Sequence, residues 1–164
     1  MHESFGCGIV PDGTGIVLNN RMSGFNLIPG HPNEVGPAKL PAHTLSPVLV
    51  VKDDIPIFAI GTPGGTGQTQ FITQTICNLL DFNMNPQEAV EAPRWQSDAP
   101  NQIDIENRFS NDVNEFLTSE GYNVISRGPW EFSFGGMEVI CLHKNGKVLM
   151  GAADPRRDGY AMGY

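Results

Sequence analysis

Apolar positions along the chain fall into short runs broken by glycine and proline, and only the middle third carries a helical period. Residues 47–52 and 55–60 are β-branched and apolar runs joined across Asp53-Asp54. Their near-continuous hydrophobicity predicts two strands covered on both faces. After Gly61-Thr62-Pro63-Gly64-Gly65, Ile72, Ile76, Leu79 and Leu80 recur at i, i+4, i+7 and i+8 and predict one buried face of a helix. Asn85-Pro86-Gln87-Glu88 combines a cap residue, proline at the first helical position and glutamate three residues on. It predicts a second, shorter helix that ends near Pro93. A strand is expected at 103–106. Ser110 is placed to cap a third helix that turns Val113, Phe116 and Leu117 inward and stops at Gly121. Residues 137–143 and 148–152 flank Lys144-Asn145-Gly146-Lys147, where Asn-Gly predicts a hairpin. Residues 8–10 and 15–18 flank Pro11-Asp12-Gly13-Thr14, a second hairpin turn with Gly13 at positive φ. Residues 24–43 have no period and read as a surface loop. Strands first, helices in the middle and strands again at the end predict one α+β domain over 1–164, with a layered, mainly antiparallel sheet.

Charge and cysteine usage narrow the class. The chain carries 18 acidic and 10 basic residues, a net charge of −8, which argues against a nucleic-acid partner. No run approaches the length of about 18 apolar residues that would span a membrane, and the first residues lack a signal peptide's basic and apolar regions. Cys7, Cys77 and Cys141 are widely spaced, without metal spacing. They read as buried thiols in a reducing compartment, which favours the cytoplasm. The histidines do not cluster, so no metal site is expected.

Three segments carry candidate chemistry. Gly61-Thr62-Pro63-Gly64-Gly65-Thr66-Gly67 lies between a strand and a helix, where adjacent N–H groups can converge on an anion. It has neither the lysine of a P-loop nor the spacing of a dinucleotide fingerprint, leaving an oxyanion hole, a carboxylate cradle or a turn that needs glycine for steric reasons. His43, Thr44 and Ser46 precede a strand, where they can hold a carboxylate or satisfy loop backbone. Asp154-Pro155-Arg156-Arg157-Asp158-Gly159 mixes both charge signs and reads as a local ion-paired loop. Cys7 has no basic neighbour and reads as a packed residue rather than a nucleophile, and Trp95 and Trp130 read as core or interface.

Several ordered motifs add a resemblance. Phe5-Gly6-Cys7-Gly8, Pro11-Asp12-Gly13-Thr14-Gly15-Ile16, Leu45-Ser46-Pro47 and Gly61-Thr62-Pro63-Gly64-Gly65 follow one another along the chain. Glu88-Ala89-Val90-Glu91-Ala92-Pro93-Arg94 and Gly151-Ala152-Ala153-Asp154-Pro155-Arg156-Arg157-Asp158-Gly159 come after them. Together they resemble the C-terminal, small-subunit part of the gamma-glutamyltransferase family. The resemblance implies an N-terminal-nucleophile hydrolase with an αββα sandwich, here a partial one, and no cofactor. In that family a threonine freed by self-cleavage attacks a γ-glutamyl amide such as glutathione, its own α-amine acting as base, and an acyl-enzyme forms.

By resemblance, Gly64 and Gly65 stabilise the oxyanion, and His43 and Thr44 stand where paired serines hold the substrate's α-carboxylate. Asn20, Arg21 and Gly24 fall in the segment that faces the acyl donor. Two departures change the expectation. The transferases place Gln at position 21 and Asp at 24, the Asp pairing with the α-ammonium; Arg21 repels that ammonium and Gly24 cannot bind it. This points towards an anionic or N-acylated acyl donor, as in acylase-like relatives. The nucleophilic threonine and the large subunit also belong upstream of Phe5, so residues 1–164 are expected to be inactive alone. They are expected to need a large-subunit region or to self-associate. The alternative is a non-catalytic module that binds small carboxylates.

Overall fold

The computed structural model describes His2, residues 5–143 and residues 148–163. The chain divides into two compact units, residues 1–44 and 45–164.

The second unit is built on an antiparallel sheet of four strands in the order β1-β2-β6-β7: β1 (Val48–Lys52), β2 (Ile55–Gly61), β6 (Glu138–Leu142) and β7 (Leu149–Ala153). Asp53 and Asp54, both at positive φ, close β1 onto β2 in a two-residue turn whose twist suits a hairpin. Residues 144–147, the second expected hairpin turn, lie outside the described residues, but the strands they join pair in register from Glu138–Ala153 to Leu142–Leu149. Helices α1 (Gln68–Leu80) and α2 (Pro86–Glu91) cover one face. Ile60, Val139 and Ala152 from the sheet meet Phe71, Ile72, Leu79, Ala89 and Val90 from the helices in a single buried cluster.

The other face is open, which corrects the expectation that β1 and β2 are covered on both sides. Leu49, Ile140 and Leu149 alternate with the buried positions and are 65%, 51% and 68% exposed. Tyr160, Ala161 and Met162 border this apolar surface. The hydrophobic runs therefore record a face that the described residues leave uncovered.

A smaller sheet, ordered β3-β4-β5, joins β3 (Trp95–Ala99), β4 (Gln102–Glu106) and β5 (Asn123–Arg127). β3 and β4 are antiparallel, whereas β4 and β5 are parallel and connected through α3 (Asn111–Ser119). β3 is an edge strand, and α1 closes its edge with side-chain amides. Gln70 exchanges two hydrogen bonds with the backbone of Ser97 (3.1 and 2.9 Å), and Gln74 does the same with Trp95 (2.8 and 3.1 Å). Two glutamines one helical turn apart thus replace a neighbouring strand. Replacing both with alanine is expected to remove about 2–4 kcal/mol of unfolding free energy in a urea titration, at about 1 kcal/mol per hydrogen bond. A loss within error of zero would show that water satisfies that edge.

Helix ends follow local chemistry where the sequence is explicit. Asn85 accepts from the Glu88 N–H (2.9 Å) and Glu88 accepts from the Asn85 N–H (3.0 Å), a complete capping box ahead of Pro86. Gly121, at φ 89°, stops α3 as expected. Ser110 occupies the cap position, but its side chain makes no capping bond. Phe116, expected inward, is 61% exposed, while Val113 and Leu117 are half-buried. On α1 the buried face includes Phe71 and Thr75, and Leu80 turns outward.

In the first unit, Pro11-Asp12-Gly13-Thr14 makes the expected turn. Thr14 N–H and hydroxyl both donate to the Pro11 carbonyl, and Gly13 has φ 72°. The flanking segments exchange backbone bonds between Cys7, Ile9 and Leu18 without forming regular strands. Residues 26–43 are irregular apart from one bridge between Asn26 and Glu34. No helix among the described residues is long and apolar enough to cross a membrane. The cysteines correct the expectation of buried thiols: Cys7 is exposed, Cys77 and Cys141 are half-buried, and all are free.

Candidate functional site

The glycine turn connects β2 to α1. Gly64 (φ 137°) and Gly65 (φ 56°) both occupy positive φ, where a side chain adds strain. The turn bonds run from the Gly67 N–H to the Gly64 carbonyl and from the Gln68 N–H to the Gly65 carbonyl. Among the described residues the Gly64 and Gly65 N–H groups have no acceptor, as an oxyanion site requires. The turn also needs glycine for steric reasons, because a Cβ on Gly64 would lie 2.8 Å from the Phe71 ring and one on Gly67 2.6 Å from it. Gln68, buried at the start of α1, accepts from the Ser46 N–H (3.2 Å) and so anchors the segment leading into β1.

In the first unit, Arg21 and Gly24 begin and end a single 3-10 turn. Positions three apart eclipse in that geometry, so the two residues share one side. Asn20 precedes the turn, and its carbonyl accepts from the Ser23 N–H (3.0 Å). Gly24 packs against the segment that leads into His43 and Thr44: a Cβ at 24 would stand 3.2 Å from the Ala42 carbonyl oxygen and 3.5 Å from Pro41. Asn33 staples this junction, donating to the Gly24 carbonyl (2.5 Å) and accepting from the Ala42 N–H (2.9 Å). His43 is exposed and Thr44 half-buried. Four residues expected to face the acyl donor, Asn20, Arg21, His43 and Thr44, thus sit on segments that Gly24 and Asn33 hold together. Asn33 has no signal in the sequence, being one polar residue in an aperiodic loop. Gly64 and Gly65 belong to the other unit.

The terminal charged motif is ion-paired locally, between Arg156 and Asp154, and it also engages two partners distant in sequence, Arg94 and Glu106. Arg94 and Glu106 are 2% and 0% exposed, and Asp154 and Arg156 are buried with them. Arg94 pairs with Asp154 (2.5 Å), while Arg156 pairs with Glu106 (2.6 Å) and Asp154 (3.0 Å). Backbone groups complete the shell. Arg94 donates to the Phe134 and Val90 carbonyls and Arg156 to those of Val90 and Ala92, while Glu106 accepts from the Arg94 and Glu131 N–H groups. Burial, and then the charge of Arg156, lowers the Arg94 pKa to about 10, which leaves it charged at neutral pH. Burial pushes the carboxyls of Glu106 and Asp154 up, but the arginine charges and the N–H donors outweigh it and hold both below their ordinary values. At the rim, Arg108 pairs with Glu106 (2.6 Å) and stacks 3.6 Å over the Trp130 ring, so Trp130 is a surface platform rather than core.

The family model described as Gamma-glutamyltranspeptidase matches residues 1–164. The chain is 36% identical over 168 residues to the glutathione hydrolase-like YwrD proenzyme of Bacillus subtilis (strain 168), covering 99% of this chain and 32% of that protein. It therefore spans about a third of the length of the curated relatives it matches. Cephalosporin acylase from Bacillus halodurans shares the fold with a TM-score of 0.85 at 36% identity, covering 97% of this chain and 30% of that one. Gamma-glutamyltranspeptidase from Pseudomonas nitroreducens, solved with L-DON, matches at a TM-score of 0.81 and 29% identity, covering 98% of this chain and 88% of that one. A match along its whole length and an α+β fold shared with these N-terminal-nucleophile hydrolases place the chain in the gamma-glutamyltranspeptidase family.

Proposed function

We propose that this chain supplies the oxyanion donors and part of the acyl pocket of an amide-cleaving enzyme, whose threonine nucleophile and large-subunit region come from outside residues 1–164. The open apolar face of the four-stranded sheet supports this reading, since Leu49, Ile140 and Leu149 suit burial against a second layer. In the proposed reaction the threonine hydroxyl attacks the amide carbonyl, and the threonine α-amine takes its proton. The Gly64 and Gly65 N–H groups stabilise the tetrahedral oxyanion. Collapse expels the amine, which takes that proton from the α-ammonium, and leaves an acyl-enzyme; water then cleaves it to the free acid, its proton passing through the α-amine to the threonine oxygen.

The pairing of Arg21 with Gly24 on one turn carries the assignment of the acyl group. A γ-glutamyl donor presents an α-ammonium, and this turn offers it a cation and no carboxylate. A like charge at about 4 Å costs about 1–4 kcal/mol near a protein surface, so a donor without that ammonium is preferred. The acyl group is accordingly dicarboxylic, of the glutaryl kind, with its free carboxylate held by Arg21.

Glutaryl and γ-glutamyl anilides, compared with the chain assembled with its large-subunit region, test this. The glutaryl compound is expected to have the higher kcat/KM by about tenfold or more. Equal values, or a preference for γ-glutamyl, contradict it. In the double variant Arg21→Gln/Gly24→Asp, kcat/KM for the γ-glutamyl anilide should rise by about 10- to 100-fold, the range of a charged hydrogen bond. The new aspartate fits if the Ala42 carbonyl yields by a few tenths of an ångström.

A further inference from the structure

We infer that the Thr62 hydroxyl is a positioning group that sets where the Gly64 and Gly65 N–H groups point; the inference rests on the oxyanion role proposed for them. Residues 134–137 form a fully buried strap beside the glycine turn. Arg94 holds the Phe134 carbonyl (2.9 Å), Arg157 the Gly135 carbonyl (3.2 Å) and Asp154 the Met137 N–H (2.8 Å). The ion pair between Arg94 and Asp154 closes these two ends on each other. The strap is therefore a rigid reference, since moving it breaks buried charged bonds.

One side chain joins the turn to that reference. Thr62 Oγ1 accepts from the Gly136 N–H (3.0 Å) and donates to the Pro63 carbonyl (2.8 Å), the peptide group whose nitrogen belongs to Gly64. Its two bonds fix the orientation of the peptide plane that carries the Gly64 N–H. Contacts enforce the approach. A Cβ on Gly135, which has φ 88°, would lie 2.8 Å from the Pro63 carbonyl oxygen, and the Gly135 Cα stands 3.5 Å from the Cβ position of Gly64. Phe71 packs under Gly64 and tilts against Phe134 at 5.8 Å, so the ring transmits the same reference from below. The hydroxyl matters here rather than the volume of the side chain, because valine fills the same space without either bond.

Thr62→Val and Thr62→Ser separate these roles. In residues 1–164, Thr62→Val is expected to shift the amide resonances of Gly64 and Gly65 and to speed hydrogen exchange at Gly136 by about tenfold or more. Gly30 and Gly121 should stay unchanged, and Thr62→Ser should match the parent chain. In the chain assembled with its large-subunit region, Thr62→Val should lower kcat by about 10- to 100-fold at unchanged KM, with serine restoring it. Unmoved Gly64 and Gly65 resonances, a serine variant as impaired as valine, or global unfolding of Thr62→Val each overturn the inference. Should the assembly cleave neither acyl anilide, the proposed reaction fails, and the resonances still decide whether Thr62 positions the turn.

Discussion

Replacing Glu106 with alanine is expected to lower the unfolding free energy by about 3–5 kcal/mol, the cost of breaking a buried ion pair from one side. The carboxylate has no exposed surface, and it accepts from the guanidinium of Arg156, from Arg108 and from two backbone N–H groups. Its removal leaves Arg156 buried with only Asp154 as a charged partner. The same cluster sets the acid response. Glu106 and Asp154 are held below their ordinary values, so each contributes stability fully above the unfolded carboxylate range, about pH 4. That contribution is lost as pH falls through the lower folded values. Urea midpoints should therefore be insensitive to these groups between pH 7 and pH 5 and should drop below about pH 4. In Glu106→Gln the acid slope should be shallower. A Glu106→Ala loss below about 1 kcal/mol would show that water enters the cluster.

Gly64→Ala carries the largest expected effect on catalysis. The methyl group would meet Phe71 at 2.8 Å from a backbone at φ 137°, so the turn must move to admit it. Displacing one oxyanion donor costs about 10²–10³ in kcat, and that loss is expected for the assembled enzyme. Gly65→Ala is the contrast. Nothing lies within 4 Å of its Cβ position, and φ 56° is the left-handed region that adds about 1–2 kcal/mol of strain. It should destabilise the fold modestly while retaining more of kcat than Gly64→Ala. Equal kcat losses in the two variants would mean that general strain, rather than donor placement, governs the turn.

What the sequence discloses here depends on how local the cause is. The Asn85–Glu88 capping box, the Gly121 stop and the Asp53-Asp54 turn are set within a few residues, and each is legible from them. β3 is not, because Trp95–Ala99 carries no alternation and its edge is completed by Gln70 and Gln74 from a helix more than twenty positions earlier. β5 pairs in parallel with β4 across α3, another long-range cause. Phe116 follows a helical period yet faces outward, since a period marks a face without saying what covers it.

The site divides in the same way. Gly64 and Gly65 stand out by composition, whereas the meaning of Arg21 and Gly24 comes from the family motif they depart from. Arg94, Glu106 and Arg156 look like surface charges in sequence and are buried because distant segments neutralise them. Asn33 and Thr62 each act through two hydrogen bonds to backbone, which leave no pattern to read.

The central claim is that residues 1–164 hold part of an active site completed by a large-subunit region. Chromophore release from glutaryl and γ-glutamyl anilides tests it most directly, measured with this chain alone and with that region co-expressed. Release is expected only from the combination, faster with the glutaryl compound. Release by residues 1–164 alone, or none from the combination with either compound, would contradict it.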